Sequence, residues 1–106
     1  MRKLSAGKVH FKLMFYNYVL SCVDNKRRRQ KLYIGTTEDL QHRIIAHKTK
    51  NVKTTKSFDK ISLVYYECCL DKTDAIKREH QLKTGFGRGY LNRRLKNYLS
   101  EIGRQV

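Results

Sequence analysis

The sequence predicts an α+β domain: a three-stranded antiparallel sheet flanked by helices, in the order β-β-α-β-α-α. Three observations lead there. Three short runs rich in aromatic and β-branched residues read as strands, three segments carry apolar residues at helical spacing, and a polar turn joins the first two strands as a hairpin. With 106 residues, 40% of them apolar, the chain has room for one domain around one modest core.

Residues 1–13 hold Arg2, Lys3, Lys8 and Lys12 without an acid and read as a flexible basic arm; residues 14–102 form the domain. The first strand is MFYNYVLSC, 14–22, and the second is KLYIG, 31–35. Between them VDNKRRRQ turns at Asp24-Asn25 and must keep Lys26 to Arg29 in water. Thr37-Glu38-Asp39 offers a cap and acids for a helix over 38–48, with Leu40, Ile44 and Ile45 inward. A lysine-rich connection, 49–60, leads to a third strand, ISLVYYECC. Asp71 to Asp74 cap a helix over 73–83, and Gly85, Gly87 and Gly89 read as a loop. A last helix over 90–102 puts Leu91, Leu95, Tyr98, Leu99 and Ile102 on one stripe.

Charge limits the partners. Lys and Arg number 24 against 9 Asp and Glu, a formal net charge of +15. Such an excess repels itself unless something anionic offsets it, and nucleic acid is the usual partner. Three cysteines cannot all pair and have no zinc-site spacing. Cys68 and Cys69 read as small buried side chains in an apolar run, and the chain reads as belonging to a reducing compartment. Lys8, His10 and Lys12 break up any leader-like start, and no stretch reaches membrane-spanning length. A soluble, cytoplasmic protein is expected, without membrane contact.

One set of residues stands out. Tyr18 and Tyr33 lie on the two hairpin strands, where their phenols can share a face. Gly35 ends the second strand and leaves room for a backbone or a phosphate. Arg43 and His47, four apart, share a side of the first helix, and Glu79 lies in the second. Taken singly, each has a bland explanation as packing or solvated charge.

The ordered segments resemble the GIY-YIG endonuclease superfamily, in its small stand-alone bacterial branch. Tyr16-Asn17-Tyr18 stands where the first motif falls, and Tyr33-Ile34-Gly35 matches the second; DLQHRIIAH, LVYYE and DKTDAIKREHQLKTGFGRGYLNRRLKNYL resemble the remainder of that branch. The likeness covers roughly residues 14–99. It implies a metal-dependent endonuclease that hydrolyses phosphodiester bonds of nucleic acid, with DNA expected and RNA the other candidate. A catalytically silent binding module of the same fold is the alternative. By this resemblance Tyr18 is the general base or orients the attacking water, and Tyr33 orients the water or steadies Tyr18. Arg43 holds the scissile phosphate, and His47 assists proton transfer or binds a phosphate. Glu79 holds one Mg²⁺ or Mn²⁺. The family's late asparagine has Asn92 nearest to it here, with Lys83 or Arg88 as substitutes. Lys50, Lys53, Lys56, Lys83, Arg88, Arg93 and Arg94, with Gly35, are the expected contacts to the backbone of single-stranded, branched or duplex substrate. Phe86 and Tyr90 either stack on unpaired bases or pack the last helix onto the sheet. The protein is expected to be a monomer.

Overall fold

A computed structural model describes residues 13–105 and, of their side chains, those of 13–102. Apart from Leu13, the expected basic arm lies outside the described residues. In chain order the elements are β1 (Phe15–Asp24), β2 (Arg29–Thr37), α1 (Leu40–Lys48), β3 (Lys60–Cys69), α2 (Lys72–Leu82), α3 (Gly85–Arg94) and α4 (Lys96–Gln105). The α+β class and the antiparallel three-stranded sheet are as expected, with strand order β2-β1-β3.

β1 is the central strand, and every residue from Asn17 to Asp24 is buried. Side chains along a strand alternate between faces, and here each face has its own core. Tyr18, Leu20 and Cys22 join Phe58 and Ile61, with Tyr33 and the α1 residues Leu40 and Ile44 packed against them. On the other face Val19 and Ile34 meet Leu82 of α2 and Leu91 of α3. Burying one such leucine fully is worth about 1.5–3 kcal/mol. The helices are therefore held to opposite faces, α1 on one and α2 with α3 on the other.

α2 and α3 are further tied to β3 through polar contacts. Glu67 on β3 accepts from Arg78 of α2 at 2.5 and 3.2 Å and from the Tyr65 hydroxyl at 2.8 Å. The Tyr65 and Tyr90 hydroxyls are 3.0 Å apart, and the Arg78 guanidinium lies 5.1 Å above the Tyr90 ring.

Several sequence expectations change. The glycines at 85, 87 and 89 do not form a loop: Thr84 caps α3 by accepting from the Gly87 amide at 3.2 Å, so the helix starts at Gly85. Gly87 serves close packing, since a Cβ there would lie 2.3 Å from the Gln81 carbonyl oxygen and 2.4 Å from Leu82 Cα. The expected last helix is two helices, separated at Leu95, where neither proline nor glycine marks a break. Ile45, expected inward, is 52% exposed, because Leu40 and Ile44 already fill the contact of α1 with the sheet. Cys68 is exposed rather than buried: β3 is an outer strand, so an apolar run on it does not imply coverage on both sides. Cys22 is buried, and all three cysteines are free.

Gly87→Ala should destabilise the fold by about 1–3 kcal/mol, the usual cost of overpacking. Gly85→Ala, whose nearest neighbour atom would be 3.9 Å away, should be neutral or stabilising. Urea denaturation of both variants checks this; equal effects would mean that α2 and α3 do not meet so closely.

Candidate active site

The site begins with a cross-strand pair. Tyr18 on β1 is directly opposite Gly35 on β2. A Cβ at Gly35 would sit 2.4 Å from the Tyr18 hydroxyl oxygen and 2.5 Å from Cζ, so the ring lies across the glycine backbone. The room at Gly35, expected to admit a phosphate, is taken by this ring. Tyr33, two residues earlier on the same face, puts its ring centroid 6.3 Å from that of Tyr18.

From α1 come the two residues four apart. The Tyr18 hydroxyl is 2.9 Å from His47 Nε2 and accepts from Arg43 Nε at 3.2 Å. The His47 ring stands edge-on to Tyr18 and Tyr33, with centroids 5.6 and 5.0 Å away. Tyr18 is 1% exposed and His47 fully buried, whereas Tyr33 and Arg43 are half-buried. Phosphate or water would therefore reach Tyr33 and Arg43 first, with Tyr18 and His47 behind them.

One assignment of donors satisfies every member of this chain. Arg43 can only donate, so the Tyr18 oxygen accepts from it. At the far end Thr55 donates to the Val52 carbonyl at 3.5 Å, which leaves its oxygen to accept from His47 Nδ1 at 2.8 Å. With the proton on Nδ1, a neutral His47 presents Nε2 as an acceptor, and the Tyr18 O–H donates to it. Charge agrees with this assignment. Burial, reinforced by the Arg43 cation, pulls His47 from 6.5 to about 4, and burial raises the Tyr18 phenol against the opposing hydrogen bond from Arg43. At neutral pH both are uncharged, and Arg43 is the one cation among the four.

Glu79 lies on the other face of the sheet, beside the free edge of β2. Its Oε1 accepts from the Thr36 hydroxyl at 2.6 Å and its Oε2 from Lys83 at 2.7 Å. Burial raises its carboxyl, but the bonds from Lys83 and Thr36 outweigh that and hold it below its ordinary value. It is near enough to Tyr18 for its charge to contribute to the raised phenol. Thr36 is itself fixed by Asn17, which is buried in β1. The two amide hydrogens of Asn17 go to Thr36 Oγ1 and the Ala75 carbonyl, each at 2.9 Å. Thr36 thus accepts from Asn17 and gives its own proton to Glu79. Asn17, one of two residues that depart from the first motif of the resemblance, ties β1 to α2 and aims the carboxylate.

A hard divalent cation suits Glu79. An ionised carboxylate with one oxygen oriented by a hydroxyl, and the other held by an exposed lysine that a cation can displace, is the oxygen donor Mg²⁺ takes together with water and phosphate. Among the described residues no group of three or more His, Cys, Asp or Glu could hold a metal, so the rest of the shell would come from substrate and solvent.

The expected backbone contacts divide. Lys50 directs its ammonium to the Phe58 carbonyl and closes the connection after α1, while Lys53 and Lys56 are exposed beyond it. Arg88, Arg93 and Arg94 are exposed on α3. Tyr90 packs against Tyr65 and Arg78, whereas Phe86 is 68% exposed. Sequence reading missed Thr36, Asn17 and Thr55. A polar residue inside the apolar strand YNYVL was a signal for Asn17, because a buried amide needs partners; nothing local pointed to Thr55.

The chain as a whole has relatives among known proteins. The family described as the GIY-YIG catalytic domain matches residues 14–92, and the chain belongs to that family of nuclease domains. It is 39% identical over 70 residues to a UPF0213 protein of Bacillus pumilus, covering 65% of this chain and 66% of that one. Another, from Staphylococcus haemolyticus, is 37% identical over 70 residues, covering 65% and 79%. A third, from Haloquadratum walsbyi, is 29% identical over 92 residues, covering 86% and 91%. The name states no activity. The chain thus spans about two thirds of the length of the Bacillus relative. No solved structure matches. Among the described residues no helix is long and apolar enough to cross a membrane.

His47 gives the site a pH signature in stability. Its folded value of about 4 lies below 6.5, so the unfolded chain binds the proton more readily. Its contribution is fully present above pH 6.5 and is lost as pH falls to about 4, by up to about 1.4 kcal/mol per pH unit. Urea midpoints should fall across that window for the native chain. They should fall less for His47→Gln; identical slopes would place the proton uptake elsewhere.

Proposed function

We propose that this chain is a divalent-metal-dependent endonuclease that hydrolyses phosphodiester bonds of DNA. The observation that carries the reading is the arrangement of Tyr33 and Arg43 at the mouth of a buried Tyr18–His47 pair, with Glu79 aimed by Thr36 on the other face of the same sheet. A half-exposed cation flanked by phenols suits a phosphate whose charge grows in the transition state. Arg43 is anchored to Tyr18 through Nε and also bonds Tyr33, and its planar fork suits the oxygens of a phosphate. Tyr33, the phenol nearer to solvent, accepts a hydrogen bond from the attacking water and sets its line. As it takes that water's proton, it passes its own to solvent. Tyr18 serves as the support for Arg43, and His47, neutral and fixed by Thr55, completes the hydrogen bonding of Tyr18. Glu79 would hold Mg²⁺ or Mn²⁺, which supplies charge neutralisation at the phosphate when bound. Lys53, Lys56, Arg88, Arg93 and Arg94 give the sequence-independent grip that the charge of +15 favours.

Glu79→Ala should remove Mg²⁺-dependent cleavage while DNA binding, followed by fluorescence anisotropy, stays equal or tightens slightly as a negative charge is lost. Retained cutting by this variant would sink the metal assignment. Binding by the native chain without cleavage in Mg²⁺ or Mn²⁺, across single strands, duplexes and flaps, would leave only the binding module.

The two tyrosines should separate as well. Tyr33→Phe should lower the single-turnover rate by roughly 10²–10⁴-fold with little loss of stability. Tyr18→Phe should slow cleavage and also cost about 1–3 kcal/mol, because it leaves the buried His47 nitrogen without a partner. A stable Tyr18→Phe would contradict the hydrogen-bonded chain from Arg43 through Tyr18 and His47 to Thr55.

A further inference from the structure

A cleft of about 520 Å³ is lined by Lys31, Leu32, Tyr33, Ile34, Lys83, Arg88, Leu91 and Asn92. Its size falls within the range of about 300–1,000 Å³ usual for small-ligand sites. Four consecutive residues of β2 line it, although neighbouring side chains on a strand point to opposite faces. Only the open edge of a strand can present such a run, and β2 is an edge strand. The cleft therefore runs along that edge, with the end of α2 and the exposed side of α3 forming its other wall. Ile34 and Leu91 are core residues, so its floor is apolar, while Lys31, Lys83 and Arg88 give it a cationic rim.

Its position relates it to the active site. Tyr33, which meets Tyr18 and His47 on one face, forms part of its wall. Lys83, which holds Glu79 on the other face, forms another part. A strand of nucleic acid that reaches both must cross the β2 edge at this cleft.

We infer that the cleft takes the base of one unpaired nucleotide next to the phosphate held at Arg43, which makes single-stranded DNA the preferred substrate. An apolar floor receives the ring face of a base, the exposed Asn92 amide can meet its edge, and the three cations pair with the phosphates on either side. A paired and stacked base cannot turn into such a cleft. Phosphates alone would leave its apolar floor unused. This assignment rests on the proposed reading of the site as one that acts on nucleic acid.

The test uses the native chain and needs no cleavage. Binding of the shortest fluorescein-labelled oligothymidylate that still binds at full affinity, a length that leaves one register, is measured in chelator, with a single abasic residue placed at each position in turn, beside a blunt duplex of equal length. One internal position should weaken single-strand binding by roughly 5- to 100-fold, the equivalent of one stacked base, and the same scan in the duplex should be flat. Asn92→Phe, which fills the mouth of the cleft, should weaken the single strand several-fold more than the duplex. A flat scan on the single strand, or equal losses for both substrates in Asn92→Phe, would overturn the assignment. A positive scan in a chain that cuts nothing would keep the cleft and defeat the hydrolase reading. Equal cutting of duplex and single strand with a flat scan would do the opposite.

Discussion

The site depends on one steric allowance, the missing side chain at Gly35. Tyr18 and Gly35 face each other across the β1–β2 ladder, and the Tyr18 ring lies where a Cβ would be. Any other residue there would push the ring off the strand and carry its hydroxyl away from His47 and Arg43. Those two bonds, at 2.9 and 3.2 Å, join α1 to the centre of the sheet through polar atoms as well as through Leu40 and Ile44. A glycine that looks suited to ligand approach is in fact fixing an aromatic ring inside the protein.

Burial then decides which groups are ionised. Enclosing Tyr18 and His47 removes the water that would stabilise a phenolate or an imidazolium, so the pair stays neutral and the nearby cation is Arg43. Glu79 keeps its charge because Thr36 and Lys83 bond to its oxygens. A positive group and a negative group are thus held on opposite faces of the sheet, each fixed by hydrogen bonds. Such fixed charges need little rearrangement when a phosphate arrives. Electrostatic self-repulsion from the +15 charge is eased by the same arrival.

Much of the fold could be read from local pattern. Strands and helices followed from apolar spacing, and the Asp71 cap from the preference for a short acceptor ahead of a helix. The failures share a cause. Gly87 looked like a loop residue because glycine is intrinsically poor in helices, yet its lack of a side chain lets α3 start against the last turn of α2. Ile45 and Cys68 looked buried because they are apolar, but burial depends on what lies opposite, and no described residue covers either of them.

For the site, the sequence determined the cast: two tyrosines on paired strands, Arg43 and His47 one helical turn apart, and a carboxylate at Glu79. Short-range geometry set by strand alternation and the helical period is written in residue order. The tertiary structure decided what each residue faces. It put Tyr18 behind Tyr33 and brought in Thr55 to orient His47. It also made Asn17 and Thr36 the support of Glu79 and bound Lys50 to the Phe58 carbonyl. These contacts join residues from 8 to 43 positions apart, and no local pattern encodes which distant donor a buried acceptor will find.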